Sequence, residues 1–574
     1  MSFSIHGVGV SNGIAIGHAH LVSHALLEVV HYQVPKDLVG QEIARLDQAI
    51  QTVKTDLETV KSQLPSRSPA EISAFINTHL VILSDHTLSE DPKEIIQKEQ
   101  CNAEWALKQQ LESITAQFDQ IEDEYLRERK HDVSQVVERV IKVLLGRPSQ
   151  VPVLEQEKAI ILVAHDISPA DAIQFKHHHF AAFVTDVGGA TSHTAILARS
   201  LNIPSIVALQ RARSLIRDGE LIIVDGTQGV LIVNPDKDTL AEYKLKQEQW
   251  EIEQQKLKRI KSNKAVTLDG THIDLYANIE VPEDVAQVKA VGATGIGLYR
   301  TEFLFMNRRE APSEEEQFAA YRSVAEALDG KPVTIRTLDL GADKEINNDT
   351  ERTCTNPALG LRAIRLCLAE PQLFHTQLRA ILRASAFGNI QILIPMLSSI
   401  SELKQTLLLL ERAKKSLRQE KIAFDEKIQI GGMIEIPAAA LCAEAFAKEL
   451  DFLSIGTNDL IQYSLAIDRT DDSVSHLYDP VHPAVLHLVE MTIRAGKKQA
   501  KKVSVCGEMA GDTKLTRLLL GFGLRQFSMH PSHILMVKRQ VLQSDIPKLN
   551  STARKILGTH DSEKIEPLIQ KMNL

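Results

Sequence analysis

The stretch "IGGMIEIPAAALCAEAFAKELDFLSIGTNDLIQYSL", residues 430 to 465, decides the fold of the carboxyl-terminal half. Its two apolar runs, "IGGMIEI" and "DFLSIGT", read as strands, and the segment between them carries a helical pattern. The same alternation begins near residue 265. "DLYANI", "GIGLYR", "VTIRTLD" and "IQILIPM" precede the stretch, and "VSVCGE" and "QFSM" follow it. Patterns such as "SELKQTLLLLERAKKSL" fill the gaps. Eight strands within about 310 residues predict a (β/α)8 TIM-type barrel, with a doubly wound open sheet as the alternative.

Barrels of this kind place their chemistry at the carboxyl ends of the strands. Those ends carry Asn278, Arg300, Arg336 with Asp339, Glu435, Asn458 with Asp459, and Cys506; Arg469 follows in "AIDRT". Arginines hold phosphate or carboxylate through forked hydrogen bonds. Two acids with oxygen neighbours suit Mg2+, which takes a few carboxylates plus substrate oxygens. A ligand bearing both phosphate and carboxylate would use the whole set. The alternative is that Glu435 and Asp459 only neutralise the arginines, a poorly rewarded use of buried charge. Cys506 has two readings: a small residue closing a core strand, or a protonated thiol able to donate to a carbanion or an oxyanion.

The amino-terminal half has a different texture. Short strands occupy residues 1–33. Ile43, Leu46, Ile50, Val53, Leu57, Val60 and Leu64 then recur at spacings of three and four. They form a helix seam that Pro65 ends. A second seam runs Leu107, Leu111, Ile114, Phe118, Ile121, Tyr125, and a third Val133, Val136, Val140, Leu144. This predicts an antiparallel bundle. Strands resume with "AIILVAHD", "AAFVTD", "PSIVAL" and "ELIIVD", so the bundle reads as an insertion in an α/β unit that the first strands join. Residues 236–263 read as a polar connector helix.

Bulk properties bound the function. The chain has 574 residues and 44% hydrophobic content, which suits several globular domains. A net charge of −9 argues against a nucleic-acid binder. The scattered cysteines, the lack of a leader pattern and the lack of a bilayer-length apolar run predict a cytoplasmic protein with no membrane insertion.

One further stretch, "GGATSHTAILARS" (188–200), holds His193 after a Gly-Gly turn. Locally it reads as a helix start with Thr191 or Ser192 as N-cap. The chain as a whole resembles Enzyme I of the phosphoenolpyruvate-dependent phosphotransferase system. The resemblance rests on this stretch and on "EDEYLRERKHDV", "GIGLYRTEFLFM", "RTLDLGADK", "NPALGLRAIR", "LRASAFG", "DFLSIGTNDLIQY", "SHLYDPVHPAVL" and "CGEMAGD", in that order. It implies a swivelling phosphohistidine α/β domain (1–33 plus 147–235) with an inserted helical domain (34–146) that binds the phosphocarrier HPr. A linker helix (236–263) and a phosphoenolpyruvate-binding, dimerising barrel (264–574) follow. It further implies that His193 accepts the phosphoryl group and that Arg300, Arg336, Asn458 and Arg469 hold phosphoenolpyruvate. Glu435 and Asp459 would bind Mg2+, and Cys506 would protonate the leaving enolate. The chain departs from the pattern at Ala190, where the family commonly has Arg or Lys, at Ala172 for a threonine, at Ala342 for a glycine, and at His165 for an acidic or small residue.

Overall fold

The computed structural model describes residues 2–22, 29–63, 70–118, 124–146, 159–167, 180–188, 203–305, 310–341, 358–468 and 474–573. The chain divides into two compact units, residues 1–254 and 255–574.

In the first unit, strands β1 (Phe3–His6), β2 (Val8–Ser11) and β3 (Ile14–Leu21) share one sheet with β4 (Ile160–Ala164), β5 (Ala182–Thr185), β6 (Ser205–Val207), β7 (Leu221–Asp225) and β8 (Val230–Val233). The order is β1-β8-β7-β3-β4-β5-β6-β2, so β3 pairs in parallel with β4 across the whole intervening bundle. The insertion therefore begins and ends on neighbouring strands, which lets the sheet close without it. Strands β4 and β5 are almost wholly buried apolar runs, as expected of parallel strands covered on both faces.

The bundle comprises α1 (Val39–Gln63), α2 (Ala70–Ile82), α3 (His86–Ser89), α4 (Asp91–Glu99), α5 (Ala103–Phe118) and α6 (Glu124–Leu144). Leu46, Val53 and Leu57 of α1 meet Leu107 of α5 and Val136, Val140 and Ile141 of α6 in one core. Each fully buried branched side chain contributes roughly 1.5–3 kcal/mol. Of the second seam, Leu107, Leu111, Ile114 and Phe118 lie in α5 and Tyr125 in α6, while Ile121 lies outside the described residues.

The polar connector helix spans Lys237–Arg259, yet Leu240 and Tyr243 pack on Ile223 and Ile232 of the open sheet. Gln247 donates through Nε2 to the Ile14 carbonyl at 3.1 Å, and a Cβ on Gly13 would stand 3.3 Å from the Trp250 ring. Leu240, Tyr243, Gln247 and Trp250 thus line one narrow helix face. A few large residues suffice to dock a helix whose composition looks polar.

In the second unit, β9 (Asp274–Ile279), β10 (Ile296–Tyr299), β11 (Val333–Arg336), β12 (Ile390–Ile394), β13 (Gln429–Ile434), β14 (Phe452–Ile455), β15 (Lys502–Val505) and β16 (Gln526–Met529) form a closed parallel barrel. The last strand returns to the first, pairing Gln526 with Asp274 and Met529 with Ala277. All eight strand segments read from the sequence are there. Tyr299, Tyr321, Phe374 and Phe446 are completely buried in the core that the strands share with the outer helices. Inside the barrel, Leu298, Leu393, Met433 and Cys506 form a small apolar plug. Among the described residues, no helix is long and apolar enough to cross a membrane.

Candidate functional site at the barrel mouth

The carboxyl ends of the strands converge as barrel closure requires. Arg300 directly follows β10 and Arg336 ends β11; Glu435 follows β13 and Cys506 follows β15. Asn458 and Asp459 lie in the first turn of the helix Thr457–Leu465, which succeeds β14. Six of the eight candidate site residues are thereby brought to one mouth. The other two, His193 and Arg469, lie outside the described residues, as do the Thr191 and Ser192 caps.

Arg300 is half-exposed and its Nη1 lies 2.7 Å from Glu280 Oε1. Arg336 is buried between two acids: Nη1 is 2.8 Å from Asp339 Oδ2, and Nη2 is 3.1 Å from Glu302 Oε2. Its Nε has no hydrogen-bond partner. Burial works against the guanidinium charge, but Glu302 and Asp339 outweigh it and raise the Arg336 pKa. Asp339 also meets Arg362 at 3.1 Å. Burial alone would raise the Asp339 carboxyl; Arg336 and Arg362 instead hold it below its ordinary value.

Glu435 is fully buried. Its Oε1 accepts a 2.6 Å hydrogen bond from the Met396 backbone N–H, whereas Oε2 has no partner. Met396 reaches it from a left-handed backbone conformation with φ of 55°, an uncommon geometry for a residue with a side chain. Gly456 shields the other side: a Cβ there would stand 2.6 Å from Oε2. Burial, then the carboxylates of Asp339 and Asp459, push the Glu435 carboxyl well above the usual range. Arg336 is paired with Glu302 and Asp339, and Arg300 with Glu280, while Glu435 Oε2 is left over.

The remaining side chains are held by neighbouring strand ends. Asn458 Oδ1 accepts from the Glu508 backbone N–H at 2.9 Å, and its Nδ2 donates to Glu508 Oε1 at 3.2 Å. This bidentate contact fixes which way the amide faces. Asn278 Nδ2 donates to the Cys506 carbonyl at 3.0 Å. Cys506 Sγ donates to the Ile455 carbonyl at 3.5 Å, and burial pushes the thiol up to about 11. Tyr463 donates to the Ala358 carbonyl at 2.5 Å beside Arg362.

In the open-sheet unit, His165 closes β4 next to Asp186, with Nδ1 3.8 Å from Oδ2. The neighbouring Asp186 carboxylate raises the His165 pKa against partial burial.

Strand-end reading missed Glu280, Glu302, Arg362 and Glu508. Glu280 directly follows β9, Glu302 and Glu508 begin short 3-10 helices after β10 and β15, and Arg362 precedes the helix Ala363–Ala369, none of them with a periodic signal. Glu302 and Arg362 do carry one mark, an isolated charge inside the otherwise apolar runs "TEFLF" and "LGLRAI".

Among the described residues, Arg300, Arg336 and Arg362 lie with the carboxyl groups of Glu280, Glu302, Asp339, Glu435 and Asp459 at this end of the barrel. Among the described residues, no three or more His, Cys, Asp or Glu groups form a self-sufficient metal cage. Two hard carboxylates, one with a buried unpartnered oxygen, fit an ion that completes its shell with substrate and water oxygens, as Mg2+ does.

Comparison with known proteins agrees with this layout. Residues 254–546 match the phosphoenolpyruvate-binding domain of phosphoenolpyruvate-utilising enzymes. Residues 6–129 match the amino-terminal domain of the same group, and residues 156–229 its mobile domain. A phosphoenolpyruvate-protein phosphotransferase of Cupriavidus necator is 52% identical over 575 residues, covering 98% of this chain and 98% of its own. A protein of the same name from Geobacillus stearothermophilus is 40% identical over 99% of this chain and 98% of its own.

Proposed function

Because the chain belongs to the phosphoenolpyruvate-protein phosphotransferase family, we propose that it moves the phosphoryl group of phosphoenolpyruvate to His193 and then to a histidine of an HPr-like phosphocarrier. The observation that carries the barrel part of this reading is Glu435 Oε2, a buried carboxyl oxygen without a hydrogen-bond partner, on a group close to Asp459 and Arg336.

Phosphoryl transfer needs positioning and charge stabilisation above all. Arg300 and Arg336 hold the phosphoryl oxygens. Asn458, its amide fixed by Glu508, and Arg469 hold the remaining phosphate and carboxylate oxygens. Glu435 and Asp459 would hold Mg2+, whose charge, when bound, offsets that of the substrate. The His193 imidazole forms the nitrogen–phosphorus bond as the bridging phosphorus–oxygen bond breaks, and the electron pair stays on the enolate. Cys506 then gives its proton to the enolate carbon, releasing pyruvate. A thiol raised to about 11 is in the protonated form that this step needs. The Leu298, Leu393 and Met433 plug around it limits access of water.

We assign residues 1–33 with 147–235 as the phosphohistidine domain, 34–146 as the carrier-docking bundle, 236–263 as the linker, and 264–574 as the barrel through which two chains pair. The reaction is placed in the cytoplasm. The test is incubation with labelled phosphoenolpyruvate and Mg2+. Acid-labile phosphate on the wild type, absent from His193→Ala, supports the reading; equal labelling of both overturns it.

A further inference from the structure

The segment Arg300-Thr301-Glu302 contributes one residue to the proposed substrate site, yet its next two side chains turn away from the mouth toward β11. Thr301 is completely buried and its Oγ1 donates to the Arg336 carbonyl at 2.9 Å. Glu302, 8% exposed, splits its carboxylate between two targets. Oε2 takes the Arg336 guanidinium at 3.1 Å, and Oε1 accepts the Asp339 backbone N–H at 3.0 Å. Gln377, from the outer helix Pro371–Ala384, locks the arrangement. Its Nε2 donates to Thr301 Oγ1 at 3.2 Å and its Oε1 accepts from the Leu338 N–H at 2.9 Å.

Arg336 is therefore held at both ends by the neighbouring strand's turn, its backbone by Thr301 and its guanidinium by Glu302. Asp339 cannot do this alone. It sits on the same turn as Arg336, and its other oxygen serves Arg362 at 3.1 Å. With Asp339 as the sole anchor, the guanidinium could pivot about one contact. Glu302 supplies the second, non-collinear contact that fixes the plane, and so fixes where the unpartnered Nε–H points.

We infer that Glu302 is a positioning residue for phosphoryl transfer, setting the angle at which Arg336 meets the phosphoryl group. This rests on the reading of Arg336 as a phosphate-holding group. A group that fixes orientation acts on the rate at saturation more than on affinity, because misplacement by about 1 Å can cost ~100-fold in rate.

The experiment uses the full-length chain with labelled phosphoenolpyruvate and Mg2+, measuring initial labelling rate against phosphoenolpyruvate concentration. Glu302→Gln keeps the shape and an oxygen for the Asp339 N–H, but presents a neutral group to Arg336. Its maximal rate should fall ~10-fold or more, while the half-saturating concentration changes less than about threefold. Glu302→Asp restores the charge on a shorter arm and should recover part of the rate. Rates are normalised to the folded fraction from thermal melts, so a variant that is only unstable is told apart from one that is misaligned. A normal maximal rate for folded Glu302→Gln overturns the proposal, as does a loss confined to half-saturation or a Glu302→Asp variant no better than Gln. Arg336→Lys separates the two levels of inference. If it labels like wild type, the reading of Arg336 fails. If it is inactive while folded Glu302→Gln is normal, that reading stands and the Glu302 proposal falls.

Discussion

On the β10–β11 side of the barrel mouth, Arg336 lies between Glu302 and Asp339, and Asp339 extends the chain to Arg362. On the β13–β14 side, Glu435 is equally buried but faces Asp339 and Asp459 across the mouth, with one oxygen unpartnered. One side has its charges matched by ion pairs; the other holds a buried carboxyl with a raised pKa and one unpartnered oxygen. Matched charge fixes geometry, and unmatched charge in a dry site costs free energy until a cation arrives. The same mouth thus divides its work between orienting an anion and attracting a metal.

The strongest way to break this comparison is to unpair the matched side. Arg336→Met leaves Glu302 and Asp339 buried without their shared counter-charge. It should lower barrel stability by about 3–5 kcal/mol in denaturant unfolding and abolish labelling by phosphoenolpyruvate. A stable and active variant would mean that the ion pairs are incidental.

Neutralising the unmatched side should have the opposite sign for stability. Glu435→Gln removes a carboxyl whose raised pKa costs stability above the ordinary carboxylate range, so the metal-free barrel should gain about 1–3 kcal/mol near neutral pH and nothing at acid pH. Mg2+-dependent labelling should fall by at least about 100-fold. A loss of stability together with retained activity would show that Glu435 is an ordinary structural acid.

Cys506 sharpens the comparison with the smallest expected effect. Burial holds its thiol at about 11, above its ordinary value, so it remains protonated as pH rises through neutrality. The rate of pyruvate formation should show no thiol ionisation below about pH 10, and among the described cysteines native alkylation should be confined to exposed Cys442. An inflection near pH 8 that disappears in Cys506→Ala would contradict the buried, protonated thiol.

The same contrast governs what could be read from the sequence. Strands ending in a polar residue announced Arg300, Arg336, Glu435 and Cys506, because a barrel strand has a fixed direction and its end has a fixed location. Glu302 and Arg362 gave no such signal. Their positions follow from turns whose course depends on tertiary contacts with Gln377 and Asp339. The conformation of Met396 and the close approach of Gly456 to Glu435 are likewise set by packing between strands. The packed face of the linker helix is hidden in its sequence for a related reason. Composition averages over all faces, whereas docking needed only the face bearing Leu240 and Tyr243.

The most direct measurement is to phosphorylate the wild-type chain with phosphoenolpyruvate and Mg2+, digest it under conditions that preserve phosphohistidine, and locate the phosphate by tandem mass spectrometry. The account predicts one phosphate per chain, on His193, with an equal yield of pyruvate. Phosphate on another residue, or pyruvate released without phosphoprotein, would contradict it.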